Sequence, residues 1–367
     1  MPCANRLAAN SRRAGDVNWP ASCDACVAHS AALEKMPLSL KTQEILKDRY
    51  RVRERIGQGG AGSIYLADDL RLEGRLCALK EVEYDRALSE NMRDEARQQF
   101  MREATILARF DHPNLPKVSD YFSKGARDYL VMDYVPGDDL RAMMLEAKRN
   151  GVFLPERQVL GWAHQLADAL VYLHGQEPPV VHRDIKPSNL KITPGGVLKL
   201  VDFGLVKIMS PDQEMTITVI QGLGTALYTP LEQYGSDETH TDARSDVYSY
   251  GATLYHVLTN EPPVDARKRF IQPSSLVPPR QINPEVSSRT ERAILWAMAL
   301  HPDDRPQTMN ELTSFLFEGA NIPTTPRPSQ LGMDRPGPDY FGSRADSFVA
   351  WAAASLLLLS LIATLIR

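Results

Sequence analysis

The run His182-Arg183-Asp184-Ile185-Lys186-Pro187-Ser188-Asn189, with Asp202-Phe203-Gly204 behind it, constrains this chain more than any other feature. It sets a Lys two and an Asn five residues after one Asp, and a second Asp thirteen residues after that Asn. A fold that uses this order must bring two carboxylates, one amide and one ammonium to a common place. Those groups suit phosphoryl transfer from a metal–nucleotide complex to a hydroxyl. One carboxylate orients the hydroxyl and takes its proton, a cation steadies the γ-phosphate, and the amide with the second carboxylate holds Mg²⁺. As packing residues the ordered set has no explanation.

Upstream, Tyr50-Arg51-Val52-Arg53-Glu54-Arg55-Ile56 leads into Gly57-Gln58-Gly59-Gly60-Ala61-Gly62 and then Ser63-Ile64-Tyr65-Leu66-Ala67. The pattern predicts strand, glycine turn, strand, a flap whose backbone N–H groups can approach phosphate oxygens because glycine lacks a Cβ. A dinucleotide-binding turn would need a helix after the glycines, and the β-branched residues here favour a strand. Leu76-Cys77-Ala78-Leu79-Lys80 predicts an apolar strand ending in a Lys, followed by a helix over about 94–110 that carries Glu103. Alone, Lys80 reads as a surface lysine and Glu103 as a solvated helix charge; after a glycine flap the two read as an ion pair that positions phosphates. Strands over 117–122 and 129–134 lead to Val135-Pro136-Gly137, a hinge. Helices are expected at 155–174, 246–259, 288–300 and 309–319. The fold class is therefore α+β, with two lobes.

At 367 residues the chain exceeds what one hydrophobic core usually supports, in keeping with two lobes plus appendages. A net charge of −4 with scattered Lys and Arg gives no pull toward nucleic acid. Four cysteines are too few for a disulfide scaffold, which favours a reducing compartment. Residues 1–48 read as a tail containing Cys3, Cys23, Cys26 and His29. The Cys23-x-x-Cys26 spacing is that of zinc ligands. A zinc ribbon would want a second Cys near Cys3, where Asn5 and Arg6 stand, so unliganded thiols fit better than a zinc site.

No secretory signal opens the chain. Residues 319–346 are proline-rich and read as an extended linker. Residues 348–366 then run nineteen positions without a charge, about 28 Å as a helix at ~1.5 Å per residue, close to the thickness of a hydrocarbon core. The competing reading is a buried amphipathic helix. The apolar character goes all the way round, so a single transmembrane helix over 347–367 is expected.

From about 50 to 318 the chain resembles the eukaryotic-like, or Hanks-type, serine/threonine protein kinases of bacteria. The resemblance implies the two-lobed kinase fold, with a β-rich N-lobe holding one helix (50–135) and a larger helical C-lobe (136–318). It implies ATP and Mg²⁺, or Mn²⁺ in its place, as cofactors, and proteins as substrates. Carried onto these positions, it gives an ATP site of Ile56, Gly57, Gly59, Gly62, Ile64, Ala78, Lys80, Glu103, Met132, Asp133 and Val135. Met132 would be the gatekeeper, and Lys80 would pair with Glu103. Asp184 would be the proton acceptor, Lys186 the γ-phosphate contact, and Asn189 and Asp202 the metal ligands. Asp246 would brace the catalytic loop, Arg305 would partner Glu232, and Gly224-Thr225 would close the activation segment.

Two departures stand out. Pro230-Leu231-Glu232 replaces the usual Ala-Pro-Glu, and Lys191 stands where an apolar residue usually lies beneath adenine. Its methylene stem can serve there with the ammonium reaching out. Thr216 and Thr218, with Ser210 as runner-up, are candidate autophosphorylation sites whose phosphate Arg183 could pair. The whole then reads as a kinase anchored in the cell membrane with its catalytic domain in the cytoplasm, where homodimerisation is one route to activation. The alternatives are a membrane-tethered pseudokinase scaffold and a small-molecule kinase. The complete catalytic set speaks against the first, the long activation segment against the second.

Overall fold

The structure, a computed structural model, describes residues 40–59, 62–84, 89–125, 127–202, 207–208, 226–234 and 241–319. Strands β1 (Ile45–Leu46), β2 (Tyr50–Gly59), β3 (Gly62–Asp69), β4 (Leu76–Glu83), β5 (Val118–Lys124) and β6 (Arg127–Asp133) form one antiparallel sheet in the order β1-β2-β3-β4-β6-β5. The pleat sorts β4 into two faces. Cys77 and Leu79 enter an outer cluster with Tyr50, Val52, Tyr65, Ala67, Tyr129 and Val131. Ala78 and Val82 face the other way, into the main core with Phe100, Ala104 and Leu107. Lys80 shares that second parity, so its position on the strand faces the cleft.

Helix α1 (Glu90–Leu107) starts where Ser89 caps it, the Oγ accepting from the Met92 N–H at 3.3 Å. It begins and ends a few residues earlier than expected. Its buried positions are Ala96, Phe100, Glu103, Ala104 and Leu107, a stripe with helical period. Glu103 therefore lies on the buried face and not among the solvated charges.

The sheet reaches further toward the N-terminus than the sequence suggests. Ile45–Leu46, read above as tail, forms its first strand, paired antiparallel with β2. Leu46 is fully buried in the outer cluster, and Lys47 and Asp48 adopt positive φ to turn the chain into β2. A two-residue strand has no periodicity to detect.

The C-lobe is built on α2 (Leu140–Arg149), α3 (Glu156–His174), α4 (Ala243–Thr259), α5 (Ala266–Ile271), α6 (Pro279–Ile282), α7 (Ser288–Ala297) and α8 (Met309–Thr313), the last running on as a π-helical turn, Ser314–Glu318. Short strands β7 (Val180–Val181), β8 (Leu190–Ile192), β9 (Leu198–Leu200) and β10 (Lys207–Ile208) make two small ladders, β7 with β10 and β8 with β9. Helix α4 is buried nearly all round, which makes it the axis of this lobe. Gly251 lets it press on α7: a Cβ there would lie 2.8 Å from the Ala297 Cβ. The core is continuous from the cleft-facing side of the sheet into these helices.

Among the described residues no helix is long and apolar enough to cross a membrane. The expected span over 347–367, the linker, and the Cys3, Cys23, Cys26 and His29 group lie outside the described residues, as do Phe203, Gly204, Ser210, Thr216, Thr218, Gly224 and Thr225.

Candidate active site

The His182–Asn189 run is shaped by a single carboxylate. Asp246, in the first turn of α4 and shut off from solvent, accepts the backbone N–H of His182 (Oδ2) and of Arg183 (Oδ1), each at 2.8 Å, and its Oδ2 lies 2.8 Å from His174 Nε2. Burial pushes the Asp246 pKa up, but His174 and the backbone donors outweigh it and hold it below the usual carboxylate range. The grip matters because Arg183 has φ +66°, a left-handed conformation that costs a non-glycine residue on the order of 1 kcal/mol. Asp184 follows directly.

The expected catalytic side chains converge. Lys186 Nζ sits 2.8 Å from both Asp184 oxygens. Asn189 Nδ2 donates to the Asp184 carbonyl at 2.8 Å and to Asp184 Oδ2 at 2.9 Å, which leaves the amide Oδ1 on its other side. Asp202, also at positive φ (+58°), is ion-paired with Lys80. The Lys80 charge holds the Asp202 carboxyl below its ordinary pKa against the opposing effect of burial. An ionised carboxylate and an amide oxygen are hard donors of the kind that Mg²⁺ takes, so the pair Asn189 and Asp202 fits that ion.

Glu103 departs from the expected ion pair. Its carboxyl takes a hydrogen bond from Gln99 Nε2 at 2.9 Å, and Lys80 is ion-paired with Asp202. Burial raises the Glu103 pKa to about 7, opposed by Gln99 and by the nearby charges of Lys80, Arg102 and Arg183. Gln99 sits one helical turn before Glu103, a spacing visible in the sequence.

Above this cluster, Gly57 pairs with Ile64 and Gly59 with Gly62 across β2 and β3. Gly62 has φ +143°, and a Cβ there would fall 1.9 Å from the Glu81 carbonyl oxygen, so no other residue fits. Ile64 is partly buried and stands opposite Lys80, Ala78 is buried and opposite Met132, and Ile56 is exposed. In the hinge Met132 and Val135 are buried, while Asp133 is exposed and accepts from Arg75 at 3.3 Å. Gly137, at φ +104°, lets the hinge abut β8: a Cβ would lie 2.0 Å from the Ile192 carbonyl oxygen. Ile192 N–H donates to Asp138 O at 2.9 Å, and Lys191 reaches back so that its Nζ lies 5.8 Å from the Tyr134 ring centre.

Below the cleft, Arg305 is 2% exposed and binds Glu232 bidentately, at 2.6 and 3.0 Å, while also donating to the carbonyls of Ala299, Leu300 and Arg244. Ser245 Oγ adds a bond to Glu232 at 2.8 Å. Sequence reasoning missed a second tie, between the Tyr228 hydroxyl and His256 Nδ1 at 2.6 Å. Its one signal was the placing of His256 on α4, ten residues after Asp246.

A match to the protein kinase domain covers residues 50–317. The chain belongs to the protein kinase family. Among its relatives, a probable serine/threonine-protein kinase of Clostridium acetobutylicum is 33% identical over 284 residues, covering 76% of this chain and 41% of that protein. The serine/threonine-protein kinase PknB of Mycobacterium tuberculosis is 33% identical over 293 residues, covering 77% of this chain and 44% of PknB. The chain thus spans less than half the length of these curated relatives. Among solved structures, the apo form of PpkA-294 matches with a TM-score of 0.61 at 28% identity, over 76% of this chain and 99% of that one. The PknI kinase domain of M. tuberculosis matches with a TM-score of 0.58 at 26% identity, over 77% and 100%. The chain shares the two-lobed kinase fold of these solved structures.

Proposed function

We propose that this protein kinase transfers the γ-phosphoryl group of ATP to serine and threonine hydroxyls of proteins. The observation that carries the reading is that Lys186 and Asn189 both reach the Asp184 carboxylate, at 2.8 and 2.9 Å, with Asp202 ion-paired to Lys80. Asp184 orients the acceptor hydroxyl and takes its proton as the hydroxyl oxygen bonds to the γ-phosphorus. The bond from that phosphorus to the β–γ bridging oxygen breaks, and ADP leaves. Lys186 balances charge at the transferred group, and Lys80 is the cation for the α- and β-phosphates. Asn189 and Asp202 would hold Mg²⁺, which supplies charge neutralisation on the phosphates. Ile64, Ala78, Met132 and Val135 would line the site of the base, with the Lys191 stem beneath it.

Protein made in a phosphatase-treated form and incubated with γ-labelled ATP, alone and with a generic acidic or basic protein, tests this. Label on serine or threonine is expected, and its loss in Asp202→Ala. Equal labelling by Asp202→Ala would contradict the assignment. Labelling of Thr216 and Thr218 in the wild type but not in Asp184→Asn would mark activation by autophosphorylation.

We further infer that residues 348–366 form a single membrane span with the kinase domain on the ATP-containing, cytosolic side. Arg327, Arg335 and Arg344 on one flank against Arg367 on the other support that orientation. Sedimentation with membranes, resistance to carbonate, and release on truncation after Gly342 are expected. Full-length protein wholly in the soluble fraction would rule the span out.

A further inference from the structure

A carboxylate stands in the outer apolar cluster of the N-lobe sheet. Glu81 is 4% exposed and lies on β4, the strand that carries Lys80. The pleat turns its side chain to the face of Cys77 and Leu79, opposite that of Lys80. Three side chains from the two neighbouring strands close on it. From β3, the Tyr65 hydroxyl donates to Oε2 at 3.2 Å. From β6, the Tyr129 hydroxyl and Arg127 Nη1 donate to Oε1 at 2.9 and 3.0 Å. The Leu40 backbone N–H donates to the Tyr65 oxygen at 3.1 Å, which leaves the one proton of that hydroxyl for Glu81.

Packing alone does not call for a charge here. An apolar side chain of similar size would fill the cluster, and replacing a buried ion pair by apolar groups is often neutral or stabilising. What the carboxylate adds is direction. Tyr129 pairs directly opposite Glu81, and Tyr65 lies on the diagonal, opposite Leu79. One side chain thus ties β3, β4 and β6 together at a single point. That point is one residue from Lys80, whose ammonium has to meet Asp202 and the nucleotide phosphates. A rotation of β4 about its own axis moves the far end of the Lys80 side chain most, and the bonds to Glu81 oppose that rotation from both sides.

We propose that Glu81 and Tyr65 are positioning residues for nucleotide binding, which aim Lys80 at the α- and β-phosphates from the far face of the sheet. The proposal rests on the protein-kinase reading above, through the role given there to Lys80.

Affinity for Mg·ATP, measured by titration calorimetry on the full chain, tests it without relying on transfer to any protein. Tyr65→Phe and Glu81→Gln keep the shape of each side chain, and each should weaken Mg·ATP binding by about five-fold. In a Lys80→Met background the same two changes should shift the affinity by less than about two-fold, because the group they aim is gone. A role in stability alone would lower the melting temperature and leave the affinity as it is. Wild-type affinity in both Tyr65→Phe and Glu81→Gln, or the full five-fold loss repeated on top of Lys80→Met, overturns the proposal. Labelling from γ-labelled ATP separates the two layers. A wild type that binds and transfers while both variants bind as tightly removes the positioning role alone, whereas a wild type that neither binds Mg·ATP nor transfers label removes the kinase reading and this proposal with it.

Discussion

The Asp246 carboxylate meets the backbone N–H of Arg183 at 2.8 Å, across 63 positions of sequence and out of reach of solvent. The contact fixes the left-handed turn that aims Asp184. Asp246→Ala strips an acceptor from two backbone N–H groups and from His174. Each orphaned donor costs about 1–3 kcal/mol. Thermal unfolding should show a loss of several kcal/mol, and kcat should fall by roughly 100-fold because Asp184 is mis-aimed. An Asp246→Ala enzyme with unchanged kcat would show that the turn holds without it.

The Glu232–Arg305 pair lies with Arg305 fully enclosed. Removing either partner leaves a buried charge unpaired, at a cost of about 3–5 kcal/mol. Glu232→Gln and Arg305→Met should each lower the melting temperature steeply. The double variant should cost well under the sum of the two, since neither charge is then stranded. Strict additivity in urea or thermal unfolding would mean the two side chains act independently.

Glu103 gives stability a pH dependence of defined sign. Its folded pKa, about 7, is above the ordinary carboxyl value of 4.5, so the folded state holds the proton more tightly than the unfolded state. This contribution is fully present below pH 4.5 and falls as pH rises toward 7, by up to about 3 kcal/mol. Glu103→Gln should flatten that slope and be more stable than wild type above pH 7. An unchanged slope in the variant would assign the dependence to other groups.

Gly137→Ala should weaken the hinge. The new Cβ meets the Ile192 carbonyl oxygen at 2.0 Å and φ is +104°, so β8 must move away from the segment that carries Asp138. A rise in KM for ATP with a loss of about 1–3 kcal/mol in stability is expected. Wild-type values for both would show that β8 yields freely.

The parts of this site that could be read in the sequence are those made of neighbours in the chain. Asp184, Lys186 and Asn189 are within five positions of one another, and the glycine turn between β2 and β3 follows from local alternation. Lys80 was expected at the end of a strand and lies within β4, which runs on to Glu83; its ion pair with Asp202 was not expected, since the two are 122 positions apart in the chain. The Tyr228–His256 bond joins residues 28 positions apart, and neither type is distinctive in a helical lobe. Strand β1 escaped notice for the opposite reason, being too short to leave a pattern, although Leu46 is fully buried.

The central claim is that Asp184 takes the proton of a protein hydroxyl. Single-turnover transfer from γ-labelled ATP, measured beside ATP affinity for wild type and Asp184→Asn, tests it most directly. The account predicts a fall in transfer of at least about 100-fold, with ATP affinity and melting temperature close to wild type. Transfer by Asp184→Asn within a few-fold of wild type would contradict it.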